Sequence, residues 1–223
     1  MKTPRPAAPR TRDPDATRLR ILAAAKGEFA KKGLGGARVD DIAAKAKINK
    51  RMLYHYFGNK EELFQRTLED AYGAFRMAEA ELMIEQDDPI TALKRLMTFT
   101  WQYYLANPEF ITLVNSENLH KARHIRKSDM MDTINKPFVA RMETLLERGV
   151  AKGLFRPGLD AVQVLIALSG LGFHYLNNRH TGAIVYGRDL MSEDAKAQRL
   201  QFNIEAVLRI VCQPETLMKL ERQ

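Results

Sequence analysis

Apolar residues return at three- and four-residue steps along almost the whole chain, and the pattern predicts an all-α protein of about nine helices. Ile21, Leu22, Ala25 and Phe29 form the first stripe, a helix over 16–32 that Gly33 closes as the residue after its C-cap. Leu34 to Ala37 reads as a loop. Val39, Ile42, Ala43 and Ala46 share one face of a second helix over 39–46. After a tight turn at Lys47-Ile48, a third starts after Asn49 and runs to about Tyr56, over about 50–56, with Leu53 and Phe57 facing inward. These three short helices predict a bundle around Phe29, Ile42, Ile48, Leu53 and Phe57. So small a core is marginal alone and leans on the helices C-terminal to it.

From Lys60 to Ile84 the stripe Leu63, Phe64, Thr67, Leu68, Ala71, Phe75, Ala78 and Leu82 predicts one long helix. Asp88 can cap the next, with Pro89 at its first position. That helix carries Leu93, Leu96, Met97, Thr100, Trp101 and Tyr104, and Asn107-Pro108 breaks it. A helix then starts at Phe110-Ile111. Another spans about 131–152, kinked near Pro137 and ended by Gly153. Asp160 caps a helix with Val164, Leu165, Leu168, Phe173 and Tyr175. A polar loop over 177–193 precedes a last helix with Leu200, Phe202, Ile204, Val207, Leu208 and Val211. The chain divides into an arm at 1–15, a small unit at 16–62 and a larger helical unit at 63–223.

Two short helices around a tight turn, over about 38–57, have the layout of a helix-turn-helix, whose second helix lies in the DNA major groove. Asn49 suits the N-cap of that helix. Lys50 and Arg51 come next in its first turn, where the helix dipole disfavours cations by roughly 0.3–1 kcal/mol each. The placement makes sense opposite phosphates or guanine edges. Of Tyr54, His55 and Tyr56, some must face solvent, because three consecutive helical positions cannot all reach one core. The other reading is a charged edge on an all-helical protein.

Charge separates the two. The first 60 residues hold fifteen Lys or Arg against five Asp or Glu, a net +10, which leaves −2 for the rest of a chain whose total is +8. Basicity confined to the module with the helix-turn-helix is the footprint of a nucleic-acid binder. Residues 1–14 hold four prolines and four bases and are expected to be disordered, either as a solubilising tail or as an arm reaching phosphate or the minor groove. The single cysteine, Cys212, rules out a disulfide within the chain and fits a reducing cytoplasm. No signal-type apolar segment is visible at the N-terminus, and no window approaches the roughly 18 apolar residues of a membrane span, so no membrane partner is expected.

The run from Ile21 to Leu63 resembles the DNA-binding domain of the TetR family of bacterial regulators. The matching residues are ILAAAKGEFAKKG, then DDIAAKA, then INKRMLYHYF and NKEEL, with the spacing kept throughout. Two positions depart: Lys47 stands where the family has Gly, and Arg38 where Thr or Ser often caps the second helix. The resemblance implies that Lys50, Arg51 and Met52 face base edges, behind the cap Asn49. Tyr54, His55 and Tyr56 would lie along the backbone or groove wall, and Lys60 would hold a phosphate. Arg38, Val39 and Asp40 would lie near the DNA, with Asp40 supporting its helix start. The long fourth helix would couple the two units, and the last two helices would pair with their copies as a four-helix dimer interface. A two-fold protein matches a palindromic operator.

In the larger unit, Asn115, Ser116, Glu117 and Asn118 come directly after an apolar run. They are either the polar face of a helix end or groups that fix a small ligand. Effector-pocket candidates are Trp101, Tyr104, Asn115, Asn118, Met142, Phe173, His174 and Tyr175. His120 and His124 sit four apart with Glu117 nearby, but the cationic run KARHIRK argues against a metal. No nucleophile elbow, phosphate loop or paired-carboxylate site is visible, so neither an enzyme nor a cofactor is expected. The reading is a homodimeric repressor released from double-stranded operator DNA by a small-molecule effector. An activator or co-repressor-dependent regulator of the same fold remains the alternative, and a helical enzyme or metal-binding protein a remote one.

Overall fold

A computed structural model describes residues 13–222. The chain folds as two compact units that divide between Thr67 and Leu68, inside the fourth helix rather than after residue 62. The described residues form eleven α-helices, two more than the periodicity suggested, with short 3₁₀ turns at Ile84–Gln86 and Ile125–Lys127. None of these helices is long and apolar enough to cross a membrane.

In the first unit α1 spans Pro14–Gly36, α2 Val39–Lys45 and α3 Lys50–Phe57, and α4, Lys60–Ala80, begins. Helix α1 starts earlier than periodicity suggests, because Asp13 Oδ1 accepts from the amides of Asp15 and Ala16 and Pro14 needs no partner. Of the arm read over 1–15, residues 13–15 therefore belong to this helix start; the rest lies outside the described residues. Gly33 breaks α1 with φ 65°, as its C′ role requires, but Leu34 to Gly36 make one further turn instead of a loop. The core joins Ile21, Ala25 and Phe29 to Ile42, Leu53, Leu63 and Phe64, with the rings of Phe29 and Phe64 edge-on at 5.0 Å. Ile48 and Leu22 are only half-buried.

A buried carboxylate ties α1 to α2. Glu28 is 1% exposed, and its two oxygens lie 2.6 Å from Lys32 Nζ and 2.6 Å from Lys45 Nζ. Lys32 also reaches Asp41 at 2.8 Å. The hydrogen bonds from Lys32 and then Lys45 outweigh burial and hold the Glu28 carboxyl down at about 2.

In the second unit α4 ends at Ala80, earlier than expected, and Met83 turns the chain with φ 48° so that Ile84 packs inward. Asp88 caps α5, Pro89–Ala106, by accepting from the amides of Ile90 and Thr91. Next come α6, Pro108–Leu119, and α7, Asp129–Ala151, which contains Pro137. Asp160 caps α8, Ala161–Asn177, through the amides of Val162 and Gln163. The expected loop over 177–193 holds a helix, α9, Arg179–Val185. Helix α10 spans Glu193–Val211, and a further short helix, α11, Pro214–Leu220, comes after it. Helices α5, α8 and α10 pack on one another, and α7 lies against α5 and α8.

Behind α7 the chain doubles back. Arg156 N donates to Val211 O at 2.9 Å and Gln213 N to Leu154 O at 2.9 Å, which seats Phe155 beside Cys212. Phe155 is fully buried against Gly149, where an added Cβ would stand 1.9 Å from its ring. Burial pushes the Cys212 thiol up to about 11.

Candidate nucleic-acid interface

Local chemistry builds the reading helix. Asn49 Oδ1 accepts from Met52 N at 2.8 Å and so satisfies one orphan amide of α3. Before it, Lys47 takes φ 55°, the left-handed turn in which glycine is preferred. Leu53 and Phe57 fix α3 to the core at 0% and 6% exposure. After α3, Gly58 turns with φ 71° directly under the Glu62 carboxylate, where a Cβ would stand 2.1 Å from Oε2. Asn59 Oδ1 then accepts from the amides of Glu61 and Glu62 and starts α4.

Opposite the buried side lie Lys50, Arg51, Tyr54 and His55, all exposed. Positions four apart stand one above the other, so Lys50 with Tyr54 and Arg51 with His55 form two adjacent rows. Met52 and Tyr56 flank them half-buried, and the Arg18 guanidinium covers the Tyr56 ring at 5.8 Å. The face offers two cations, a phenol and an imidazole, which suits phosphate and base-edge contacts.

Three neighbours differ from expectation. The Val39 side chain, expected at the DNA, is buried at 8% exposure and packs into the core instead. Lys60 donates to the Gly35 carbonyl at 3.3 Å, so its ammonium already ties down the last turn of α1. Asp40 does more than start α2: its carboxylate lies 3.1 Å from Lys50 Nζ. Arg38 is exposed at the α2 N-cap and makes no side-chain cap.

The effector candidates separate into groups. Trp101, Tyr104 and Met142 are buried. Tyr104 lies edge-on to Phe173 at 6.2 Å and Trp101 edge-on to Tyr175 at 5.6 Å, with Gly172 letting α8 approach both Trp101 and Tyr104. Burial pushes the Tyr104 phenol up to about 12, against a hydrogen bond with Ser169. Asn115 Nδ2 donates to Asn177 Oδ1 across to the end of α8. Asn118 is exposed and donates to Val114 O of its own helix, so it does not point inward. His174 and Tyr175 line a separate groove beside α9 and α10.

Sequence reasoning missed the aromatic cluster of Phe75, Phe99, Tyr103 and Phe110 around Tyr104. The four-residue step from Phe99 to Tyr103 was the signal that could have found it. The polar run of α6 turns partly inward through Glu117, not through its asparagines. Glu117 Oε1 accepts from the amides of His124 and Ile125, and Oε2 lies 2.5 Å from His124 Nδ1. Among the described residues, no group of three His, Cys, Asp or Glu is placed to hold a metal.

Comparison with known proteins bears on both units. Residues 21–67 match the model of the bacterial regulatory proteins of the tetR family, and residues 89–207 that of the tetracyclin repressor-like C-terminal domain. The HTH-type transcriptional repressor NicS of Pseudomonas putida is 40% identical over 200 residues, covering 90% of this chain and 94% of that protein. The HTH-type transcriptional repressor SCO4008 of Streptomyces coelicolor is 40% identical over 160 residues, 71% of this chain and 79% of that one. Among solved structures, the fatty acid degradation regulator FadR from Bacillus halodurans shares the fold with a TM-score of 0.67 at 22% identity, covering 89% of this chain and 97% of that one.

Proposed function

This chain belongs to the tetR family of bacterial transcription regulators, and from that premise we propose that it is a homodimeric repressor of a palindromic operator, released by a small-molecule effector. It is a regulator and not an enzyme. The exposed row of Lys50, Arg51, Tyr54 and His55 on α3 carries the reading. Arg51 reads a guanine edge, Lys50 and the α3 aromatics hold the backbone, and Arg38 adds a phosphate contact beside them. The two named repressors support the sign of regulation.

Pairing of two copies is supported by apolar side chains left outside the fold. Val162 and Ile166 on α8 are 46% and 59% exposed. Val162 and Ile166 are one helical turn apart, and a two-fold axis lets the same patch cover itself. The effector is received by the second unit and acts through its different affinity for two conformations. The protein works in the cytoplasm, where its operator lies.

Footprinting on DNA next to the protein's own gene tests this. Protection of an inverted repeat of roughly 15–30 bp, with half-sites a helical turn or two apart, is the expected result. Arg51→Ala then weakens specific binding by about 1–3 kcal/mol and relaxes sequence preference at one base pair per half-site. An Arg51→Ala protein with wild-type affinity and preference would refute the assignment of α3. Protection seen only with an added ligand would make the protein co-repressor-dependent.

A further inference from the structure

A groove of about 510 Å³ opens in the second unit between α8, α9 and α10. Its walls are fixed. Tyr175 donates its hydroxyl to Leu190 O at 2.8 Å, and Leu190 packs so close to Gly182 that a Cβ there would stand 2.8 Å from it. Tyr175, Tyr186 and Phe202 give the groove three aromatic faces, and Arg188 and Arg199 give it two full charges. Among the described residues, no aspartate or glutamate lines it.

Arg199 is its centre. Its guanidinium lies 5.0 Å from the Tyr175 ring centre and 5.1 Å from that of Phe202. Nη2 donates to Leu171 O at 2.9 Å, while Nε is buried without an acceptor among the described residues. Arg188 donates to the Gln198 amide oxygen, at 3.4 Å. Neither arginine has a carboxylate partner among the described residues. The nearest acid in sequence, Asp189, turns back to accept from Met191 N at 2.8 Å. A desolvated cation without a counter-charge is costly, and an anion drawn into the groove relieves that cost. Burial alone already disfavours the charged form of Arg199.

We propose that this groove binds a small planar organic anion, its ring against Tyr175, Tyr186 and Phe202 and its charged group on Arg199 and Arg188. The volume suits a ligand of one or two rings. The site uses no residue of the DNA-reading face and does not rest on the repressor reading, because binding is measured without DNA.

Trp101 is the only tryptophan and touches Tyr175, so its fluorescence reports on the groove wall. The full chain is titrated with benzoate and with benzamide, which has the same shape and no charge, at fixed ionic strength. The expected result is a saturable change with benzoate and at least tenfold weaker binding of benzamide. Arg199→Gln lowers benzoate affinity at least tenfold, and Arg188→Gln, at an exposed position that spares the fold, lowers it severalfold. Lys136→Gln, which removes a charge at a 78% exposed position on α7 away from the groove, leaves it unchanged. Equal binding of the two probes, or wild-type benzoate affinity in both arginine variants, overturns the proposal. If wild-type protein ignores benzoate while both arginine variants lose self-association in sedimentation, the proposal is overturned and the groove belongs to a second copy of the chain instead.

Discussion

Removing the Glu28 carboxylate is the sharpest test of how the DNA-binding unit is held together. Glu28 titrates at about 2 in the fold against an ordinary 4.5, and linkage converts that difference to a ceiling of about 3 kcal/mol. Its partners are open to water, Lys32 at 37% and Lys45 at 52% exposure, so screening reduces the expected contribution to about 1–2 kcal/mol. The sign is set by the direction of the shift. A folded value below the unfolded one gives stability that is fully present above pH 4.5 and lost as pH falls through about 2. Glu28→Gln keeps the shape and removes the charge. Hydrogen exchange of the Ile42, Ala43 and Ala46 amides reads the local opening free energy of α2 without assuming that the whole chain unfolds at once. At pH 7 these amides are expected to open about 5–30 times more often in the variant. At pH 3 roughly two-fifths of the gap remains, and near pH 2 almost none. Equal exchange at pH 7, or a gap that persists undiminished at pH 2, would refute the role given to this ion cluster.

Two further perturbations rest on backbone and packing geometry. Gly149→Ala drives a methyl into the Phe155 ring; thermal unfolding should show a loss of about 1–3 kcal/mol, and an unchanged midpoint would mean that Phe155 can move aside. Lys47→Gly relieves a left-handed residue at φ 55°; the first unit should gain up to about 1 kcal/mol in the same exchange assay, and a loss would show that the lysine side chain holds the turn.

Helix ends were legible in the sequence wherever the stop or start is chemical and local. Gly33, Asn49, Asp88 and Asp160 end or cap the helices they were expected to. What was not legible depends on distant partners. Helix α9 contains Gly182 and β-branched residues in only seven positions; it forms because Gly182 seats on Leu190, which periodicity cannot report. Helix α11 is as short and lies beyond the last strong stripe. The exposed face of α3 was readable because Leu53 and Phe57 fix its rotation. For Val39 and Lys60 the side-chain direction was not legible, because a neighbour far along the chain decides it, the core for Val39 and the Gly35 carbonyl for Lys60. Asn118 shows the opposite case, a side chain satisfied by its own helix where an inward direction was expected.

The contact between Lys50 and Asp40 makes one of the two α3 cations a carrier of its own counter-ion. Both groups are about half exposed or more, 49% and 60%, so the pair is worth under about 1 kcal/mol and a phosphate can break it. On the proposed reading, when Arg38 neutralises a phosphate, a cation leaves the DNA. When Lys50 does so, Asp40 loses its partner and draws back part of that positive charge from solution, so less salt is released. On that reading each copy would touch one phosphate that its salt dependence undercounts. Asp40→Asn should tighten binding, most at low salt, and steepen the slope of log affinity against log salt by up to about 0.9 per subunit. In the wild-type protein, that acid trades strength of grip for steadiness of grip as the ionic surroundings change.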